Sequence, residues 1–427
     1  MRFVLGAQSC GFGPISKLTA ISRLLSEHQR TFLGTTVAAD FARRNADAFD
    51  EIIEIPESAE IGDGPLLGGF EQLLGESDYI VSVMGAELVF RAVVAGRPVL
   101  MVDSLFGFWK VPEPTRVAEL CASAPRDSYE SLDAHFAGLS PHERIYAAHL
   151  LADASVVQNF PGVPARATEI RRLGVRQMRL SGAIIDEGTL HGVVKGRPSR
   201  YDLVINLGGF KNFLLDYDHH NDYLRLFVRW VPDLLADWPQ FERVAVCGGA
   251  FGAGREHQVE VAGRRAEFQC MPQPEFLQEV SGTRHYMLTP GLTAIHESLQ
   301  LGQLPMALPE QHYGHIVNLE QLGDTLFNRL GARFSGLIED YRVPADDFEG
   351  TAAIVDQVGT VLASEEGYAR FRTGMNERIE QYLAVGPQER QDGVAELRTL
   401  LHGPSFGTLV TETFDSLRSD RLIGEPR

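Results

Sequence analysis

Residues 286–318, YMLTPGLTAIHESLQLGQLPMALPEQHYGHIVN, most constrain what this chain can fold into. The apolar residues before Thr289-Pro290-Gly291 predict a strand that ends in a tight turn, and the spacing after the turn predicts an amphipathic helix. A helix N-terminus presents unpaired N–H groups and a partial positive charge, so this turn suits a phosphate. Glu297 follows about 1.7 turns into the helix, within reach of whatever the phosphate carries. The stretch therefore predicts a diphosphate site flanked by polar groups, as in a nucleotide-sugar site.

Length and charge limit the class of protein. The chain has 427 residues, enough for two domains of ordinary size, each with its own core. Its formal net charge of −18 argues against nucleic acid or an anionic membrane as a partner. A small anionic ligand can still bind, but only through donors placed around it.

The cysteines are few and scattered: Cys10, Cys121, Cys247 and Cys270 form no CxxC pair. They are typical of reduced thiols in a cytoplasmic protein. We find no signal-peptide pattern and no apolar run near eighteen residues. We therefore expect a cytoplasmic protein, a monomer or a homodimer, with no membrane contact.

Strand and helix patterns alternate along the chain and predict parallel, doubly wound sheets. The polar segment 186–200, DEGTLHGVVKGRPSR, is typical of an interdomain linker, and a strand pattern restarts at 201–207, YDLVINL. The α/β chain is thus divided into residues 1–185, a linker at 186–200, residues 201–400 and a helical tail at 401–427. We expect the two sheets to face each other across a cleft.

Two glycine-rich turns are candidate ligand contacts. The first, Gln8-Ser9-Cys10-Gly11-Phe12-Gly13, gives GxGxxS rather than a dinucleotide fingerprint. The second strand ends Gly34-Thr35-Thr36-Val37, with no acidic residue placed to hold a ribose hydroxyl. It is either a structural turn or a turn that lets a substrate approach the backbone. The second, Gly208-Gly209, ends the first strand of the second sheet and could admit a pyrophosphate, with Lys211 as a partner or as an ordinary surface lysine.

The segment 216–220, DYDHH, superficially resembles a metal site. Adjacent residues rarely point at one ion, and no second His/Asp pair has HxxxH spacing. We expect no metal here and instead a helix start capped by Asp218 or Asn221.

The run TPGLTAIHESLQLGQLP…PEQ…N resembles the donor-binding motif of GT-B glycosyltransferases, the superfamily of UDP-dependent glycosyltransferases and MurG-like enzymes. Their pattern is H-x-G-x-N-S-x-x-E, then G-x-P, then P-x-x-x-D/E-Q and a nearby Asn. The residues roughly in register with it are Gly291, Glu297, Gly302, Pro305, Gln311 and Asn318. The chain departs from it with Thr289 for His, Thr293 for Asn and Ala294 for Ser.

This resemblance implies a GT-B fold, with an acceptor domain at 1–185 and a donor domain at 201–400. Glu297 would hold the nucleotide ribose, and Glu310 and Gln311 the sugar hydroxyls. The pyrophosphate would lie against Thr289, Pro290, Gly291, Leu292 and Thr293, with Gly208, Gly209 and Lys211 beside it. The acceptor would contact Gly11, Phe12, Gly13, Met84, Phe106 and Trp109.

The resemblance also implies inverting, metal-independent transfer, with a nucleotide-diphosphate sugar as co-substrate and no other cofactor. Many relatives use a His base in the first glycine-rich turn, where this chain has Gln8 and Ser9. Deprotonation would then depend on Glu87 or Asp103, each of which follows a predicted strand. The alternative interpretation of each is an ordinary carboxylate in a turn or at a helix start. Alternatively, the acceptor is acidic enough to need little help, as a nitrogen heterocycle is.

Two further segments, GAQSCGFGPISK and HLLADASVVQNFPG, are similar to cytosylglucuronate synthases of peptidyl-nucleoside antibiotic pathways. This narrower resemblance implies UDP-glucuronate as donor and cytosine N1 as acceptor. A cation near the donor carboxylate would then come from Lys17, Lys211 or Arg255.

Two other classes stay open on the sequence. A nucleotide-sugar epimerase of GT-B fold would consume the donor without an acceptor. A non-catalytic nucleotide-sugar binding protein would bind UDP without turnover.

Overall fold

The computed structural model describes residues 1–8, 11–55, 67–209, 221–252 and 254–423. The chain divides into two units: unit 1 comprises Met1–Gly188 with Leu401–Arg427, and unit 2 comprises Thr189–Leu400. Each unit has a sheet of its own, and helices follow at the C-terminal end of the chain. The predicted α/β class, with two parallel-sheet domains and a helical tail, is confirmed.

Unit 1 contains a sheet of seven parallel strands in the order β3-β2-β1-β4-β5-β6-β7. The strands are β1 (Arg2–Ala7), β2 (Gln29–Gly34), β3 (Glu51–Glu54), β4 (Tyr79–Val83), β5 (Val99–Asp103), β6 (Ala154–Gln158) and β7 (Met178–Ser181). The central strands β4, β5 and β6 are buried throughout, as expected for strands covered on both faces. The strand order reverses between β1 and β4, which is where open α/β sheets bind ligands, beyond the carboxyl ends of the strands.

The helices of unit 1 connect these strands and cover the sheet. They are α1 (Phe12–Leu24), α2 (Thr36–Arg44), α3 (Leu67–Glu76), α4 (Ala86–Val94), α5 (Pro114–Ala122), α6 (Tyr129–His135), α7 (Pro141–Leu151) and α8 (Val163–Arg172). The short helix α9 (Glu187–His191) spans the boundary between the two units. Three of them, α5 to α7, lie between β5 and β6. The start of α7 is fixed by a capping box between Ser140 and Glu143, with Pro141 at its first position.

Unit 2 contains six strands in the order β10-β11-β9-β8-β12-β13. They are β8 (Leu203–Asn206), β9 (Arg243–Cys247), β10 (His257–Val261), β11 (Arg264–Gln269), β12 (His285–Leu288) and β13 (Met306–Ala307). The pair β10–β11 is antiparallel and all other neighbours are parallel. Here the order reverses between β8 and β12.

The helices of unit 2 are α10 (Asp222–Asp237), α11 (Gln273–Gly282), α12 (Leu292–Gln300), α13 (Tyr313–Gln321), α14 (Leu326–Leu330), α15 (Asp347–Ala363), α16 (Glu365–Ala384) and α17 (Pro387–Leu400). Asn221 caps α10 by accepting a hydrogen bond from the Leu224 N–H at 3.2 Å, which confirms one of the two predicted caps. In the described ranges, no helix is long and apolar enough to cross a bilayer.

The C-terminal helix α18 (Phe406–Ile423) belongs to unit 1. Its Phe414 ring lies 5.3 Å from the Phe3 ring, edge to face. The chain leading into it passes so close to β7 that the Gly182 N–H donates to the Pro404 carbonyl at 2.8 Å. The tail therefore returns to the first sheet and closes one side of its core.

Candidate functional site

The strand ends of β8 and β12 meet at the reversal point of the unit 2 sheet. Gly208 has a φ of +69°, and a Cβ added there would lie 3.3 Å from Oγ1 of Thr289. Asn206 fixes this geometry, since its Oδ1 accepts from the Gly208 N–H at 2.9 Å and its Nδ2 donates to the Tyr286 hydroxyl at 3.1 Å. The predicted glycine turn and the predicted phosphate turn are thus adjacent in space.

Three hydrogen bonds fix the conformation of the Thr289-Pro290-Gly291 turn. The Thr289 N–H donates to the Asn206 carbonyl at 2.9 Å, and the Gly291 N–H donates to the Thr289 carbonyl at 2.6 Å. Asn318 Nδ2 donates to the Pro290 carbonyl at 3.0 Å. Gly291 is the N-cap residue of α12 and has no side chain that could accept from the first turn of the helix. Gly291 therefore leaves the first turn of α12 without a side-chain cap, and a helix N-terminus of this kind can bind an anion.

Glu297 lies on α12 and is only 7% exposed. Its Oε1 accepts a hydrogen bond from Nε2 of Gln273, at the start of α11, at 2.9 Å. Gln273 thereby orients the carboxylate.

Glu310 and Gln311 are both buried beyond β13. Burial raises the pKa of Glu310. Its Oε2 accepts a hydrogen bond from the Phe334 N–H at 3.1 Å, so this oxygen has a structural role. Oε1 of Gln311 is buried and has no hydrogen-bond partner within the described part of the chain. An unpaired buried acceptor is costly unless a ligand satisfies it.

Two histidines that the sequence analysis missed lie beside this turn. The His312 and His315 rings have centroids 3.8 Å apart, and His315 Nδ1 accepts from the Gln311 N–H at 3.2 Å. Nε2 of His315 lies 3.8 Å from the position of a Cβ added to Gly291. Burial lowers the pKa of His312 to about 4 and brings the pKa of His315 well below its usual range. The spacing of His312 and His315, about one helical turn, is the sequence signal that could have identified them as neighbours.

Unit 1 contains a cavity of about 570 Å³ at the carboxyl ends of β1, β2 and β4, where its strand order reverses. The predicted site residues that line it are Gln8, Met84 and Glu87. It is also lined by Arg91, Asp133 and Arg144, which form a polar wall. The volume suits a small organic ligand.

Glu87, near the start of α4, is part of a charged network in that wall. Its Oε1 accepts from Nε and Nη2 of Arg144 at 3.0 and 2.7 Å, and its Oε2 accepts from the Tyr129 hydroxyl. Arg144 Nη2 also donates to Asp133 at 2.6 Å. Burial and the charge of Glu87 raise the pKa of Tyr129, so this hydroxyl stays protonated as a donor.

Arg91 is 7% exposed, and its guanidinium carbon lies 3.7 Å from the centre of the Tyr129 ring. Nη1 of Arg91 is buried without a hydrogen-bond partner, and no described carboxylate pairs with this guanidinium. The cavity wall therefore contains a guanidinium whose Nη1 has no hydrogen-bond partner among the described residues.

Other predicted site residues are placed away from this cavity. Asp103 is fully buried, with Oδ1 accepting from the Leu105 N–H and Oδ2 from Trp109 Nε1, each at 2.6 Å; Oδ2 also contacts His149 Nε2 at 3.0 Å. Both oxygens are thus engaged out of reach of a ligand. Phe106 is buried against His149, with ring centroids 4.8 Å apart. The structure therefore brings none of Asp103, Phe106 and Trp109 to the cavity.

The first glycine-rich turn leads directly into α1. Gly11 has a φ of +142°, and the Phe12 ring packs against Phe41 at 5.1 Å, while Gly13 accepts from the buried Lys17 Nζ at 3.4 Å. None of these residues lines the cavity. Ser9, Lys211 and segment 216–220 lie outside the described residues. Among the described residues, no cluster of three or more His, Cys, Asp or Glu side chains could hold a metal ion.

No protein-family model and no curated protein matches this chain. Solved structures similar to it include spinosyn forosaminyltransferase SpnP, with 14% identity, a TM-score of 0.46, and 94% of this chain and 99% of that chain covered. Another is Glycyrrhiza uralensis UGT73P12 complexed with glycyrrhetinic acid 3-O-monoglucuronide, at 12% identity and a TM-score of 0.44, covering 99% of each chain. The glycosyltransferase SnogD from Streptomyces nogalater has 14% identity and a TM-score of 0.40, with 94% of this chain and 99% of that chain covered. At these identities and TM-scores, the likeness assigns no function to the chain.

Proposed function

We propose that this protein is an inverting glycosyltransferase that uses a nucleotide-diphosphate sugar as donor. The proposal rests on the close approach of Gly208 to Thr289, where the strand order of the unit 2 sheet reverses. The N-terminus of α12 lies beside them, and its N-cap residue is a glycine. A glycine backbone and a helix N-terminus together form a site for a diphosphate.

In this proposal the diphosphate binds at the start of α12, in contact with Gly208 and the Thr289 hydroxyl. The helix N-terminus and fixed donors offset the charge that develops on the leaving diphosphate, so we propose transfer without a metal ion. Transfer that persists in excess EDTA is the expected result. A loss restored by Mg²⁺ would contradict this part of the proposal.

Glu297 binds the nucleotide ribose, because a carboxylate can accept hydrogen bonds from both vicinal hydroxyls. Its distance along α12 from the phosphate turn supports this assignment, and Gln273 orients it. Gln311 accepts a sugar hydroxyl with its unpaired Oε1. The donor we propose is UDP-glucuronate.

The acceptor binds in the unit 1 cavity. Glu87 and Arg91 both line this cavity, and Nη1 of Arg91 has no hydrogen-bond partner in the described part of the chain. This combination complements a planar heterocycle that has both an N–H donor and carbonyl acceptors. The acceptor we propose is cytosine, which would be glycosylated at N1.

The chemistry follows from these assignments. N1 of the acceptor forms a bond to the anomeric carbon from the face opposite the diphosphate, and the electron pair of the broken C–O bond leaves with UDP. Glu87 takes the N1 proton. A carboxylate can accept the proton of an acidic heterocyclic N–H, but it is too weak a base for an alcohol.

The test incubates the protein with UDP-glucuronate and cytosine and follows UDP release and product mass. The proposal predicts a conjugate in which one cytosine has replaced UDP. An isomeric nucleotide sugar formed without acceptor would indicate an epimerase, and tight UDP binding without turnover across acceptors would indicate a binding protein. Lys211→Ala should reduce transfer from UDP-glucuronate more than from UDP-glucose; equal losses would overturn the glucuronate assignment.

A further inference from the structure

We infer that His315 is a catalytic residue that donates a hydrogen bond from Nε2 to a β-phosphate oxygen of the departing diphosphate. This inference rests on the proposed glycosyl transfer and assigns the donor group that acts on its leaving group. It is independent of which sugar or acceptor the enzyme uses.

The first support is position. His315 lies on α13, and its Nε2 is 3.8 Å from where a Cβ on Gly291 would be. Gly291 is the N-cap residue of α12, where the diphosphate is proposed to bind. An anion on the open side of Gly291 is therefore within hydrogen-bond reach of the imidazole.

The second support is the proton position. Nδ1 of His315 accepts from the Gln311 backbone N–H, so the proton of the neutral ring is on Nε2. Within the described ranges, Nε2 hydrogen-bonds to no other residue. His315 is only 5% exposed, and its Nε2–H is an oriented donor without an acceptor among the described residues.

The third support is the surroundings of the ring. Burial and the adjacent His312 ring disfavour the imidazolium, and protonation at Nδ1 would also break the bond from Gln311. The ring therefore acts as a neutral donor that keeps its proton.

The step is a substitution in which His315 changes no covalent bond. The bond between the anomeric carbon and the β-phosphate oxygen breaks, and its electron pair goes to that oxygen. The acceptor forms the new bond to the anomeric carbon and loses its proton. As negative charge grows on the diphosphate, the hydrogen bond from Nε2 strengthens, so it lowers the barrier more than it tightens substrate binding.

The test compares two variants that separate the ring nitrogens. In His315→Asn the side-chain oxygen can replace Nδ1 as the acceptor for Gln311, but no donor reaches Gly291. In His315→Gln the amide nitrogen can replace Nε2 as a donor. Removal of one such donor typically costs about 100-fold or more in kcat, so His315→Asn should lose about this factor while KM for the donor changes by less than about threefold. His315→Gln should recover about tenfold or more of that loss.

Two results would overturn the inference. One is a kcat in His315→Asn within about threefold of the wild type. The other is an equal loss in both variants, because the amide donor of His315→Gln would then restore nothing. If the wild type transfers no sugar from any donor, the proposed function itself fails. UDP titration then still tests His315, because the inference predicts weaker UDP binding in His315→Asn than in His315→Gln.

Discussion

A Cβ atom on Gly208 would lie 3.3 Å from Oγ1 of Thr289, although the two residues end different strands of the unit 2 sheet. These are the strands between which the strand order reverses, so their ends form a crevice rather than a covered edge. Gly208 also has a φ of +69°, a conformation that favours glycine. The local backbone therefore leaves room for a ligand at the position where the fold opens.

Gly208→Ala should reduce both stability and UDP affinity. Left-handed backbone costs about 1–2 kcal/mol for a non-glycine residue, and the added methyl group would occupy the proposed phosphate position. Gly263→Ala is a matched control, because Gly263 has a φ of +79° and no atom within 4 Å of an added Cβ. Urea unfolding should show similar losses for both, whereas UDP titration should show weaker binding only for Gly208→Ala. Equal UDP affinity in the two variants would remove Gly208 from the site.

Glu87→Gln should lower kcat by about 10²–10⁴-fold if Glu87 takes the acceptor's proton. The amide keeps the size of the side chain and can still accept from Arg144, so thermal unfolding should change little. Glu113→Gln, on an exposed carboxylate of unit 1, is the control and should leave kcat unchanged. Steady-state kinetics with the proposed acceptor make the comparison. A Glu87→Gln protein with full activity would show that this carboxylate only organises the cavity wall.

Unit 2 should lose stability as the pH falls from about 6.5 to about 4. Burial lowers the pKa of His285 to about 4, so in this window the unfolded chain binds a proton that the folded chain does not. The contribution is complete above the unfolded pKa and is lost progressively below it, by up to about 1.4 kcal/mol per pH unit. His285→Phe keeps a ring between Phe241 and Tyr382 and should flatten this dependence. Urea unfolding at pH 7, 6 and 5 measures it, and an unchanged slope in the variant would contradict the assignment.

Gly403→Ala should destabilise unit 1. An added Cβ would lie 2.5 Å from the Gly182 nitrogen, a backbone atom that cannot move aside cheaply, and such overpacking costs about 1–3 kcal/mol. Gly75→Ala is the control, since nothing lies within 4 Å of its added Cβ and it is within a helix. Chemical unfolding should show a loss for the first variant and none for the second. A native-like Gly403→Ala would mean that the tail does not need its close contact with β7.

The parts of this fold that depend on local sequence were predictable. Short apolar runs before glycine turns indicated β8 and β12, and the spacing after Gly291 indicated α12. The pairing of Gly208 with Thr289 follows once both strands are placed in a parallel sheet, because such sheets gather ligand loops at one edge.

Long-range packing was not predictable in the same way. Nothing local marks Phe106 and Trp109 as interior residues rather than cavity residues, and Asp103 is removed from the cavity by partners on other elements, among them His149. The contact of His315 with the Gly291 turn depends on how α13 packs on α12. Glu310 likewise obtains a backbone partner at Phe334 that sequence spacing does not indicate.

The most direct test of the central claim is calorimetric titration of UDP into the wild type, Glu297→Ala and Glu320→Ala. Glu320 is an exposed carboxylate near the end of α13 and serves as the matched control. We predict one saturable UDP site in the wild type and in Glu320→Ala, with affinity at least about tenfold weaker in Glu297→Ala because an oriented, charged hydrogen bond is lost. No UDP binding by the wild type, or equal affinity in all three proteins, would contradict a nucleotide-sugar site on unit 2.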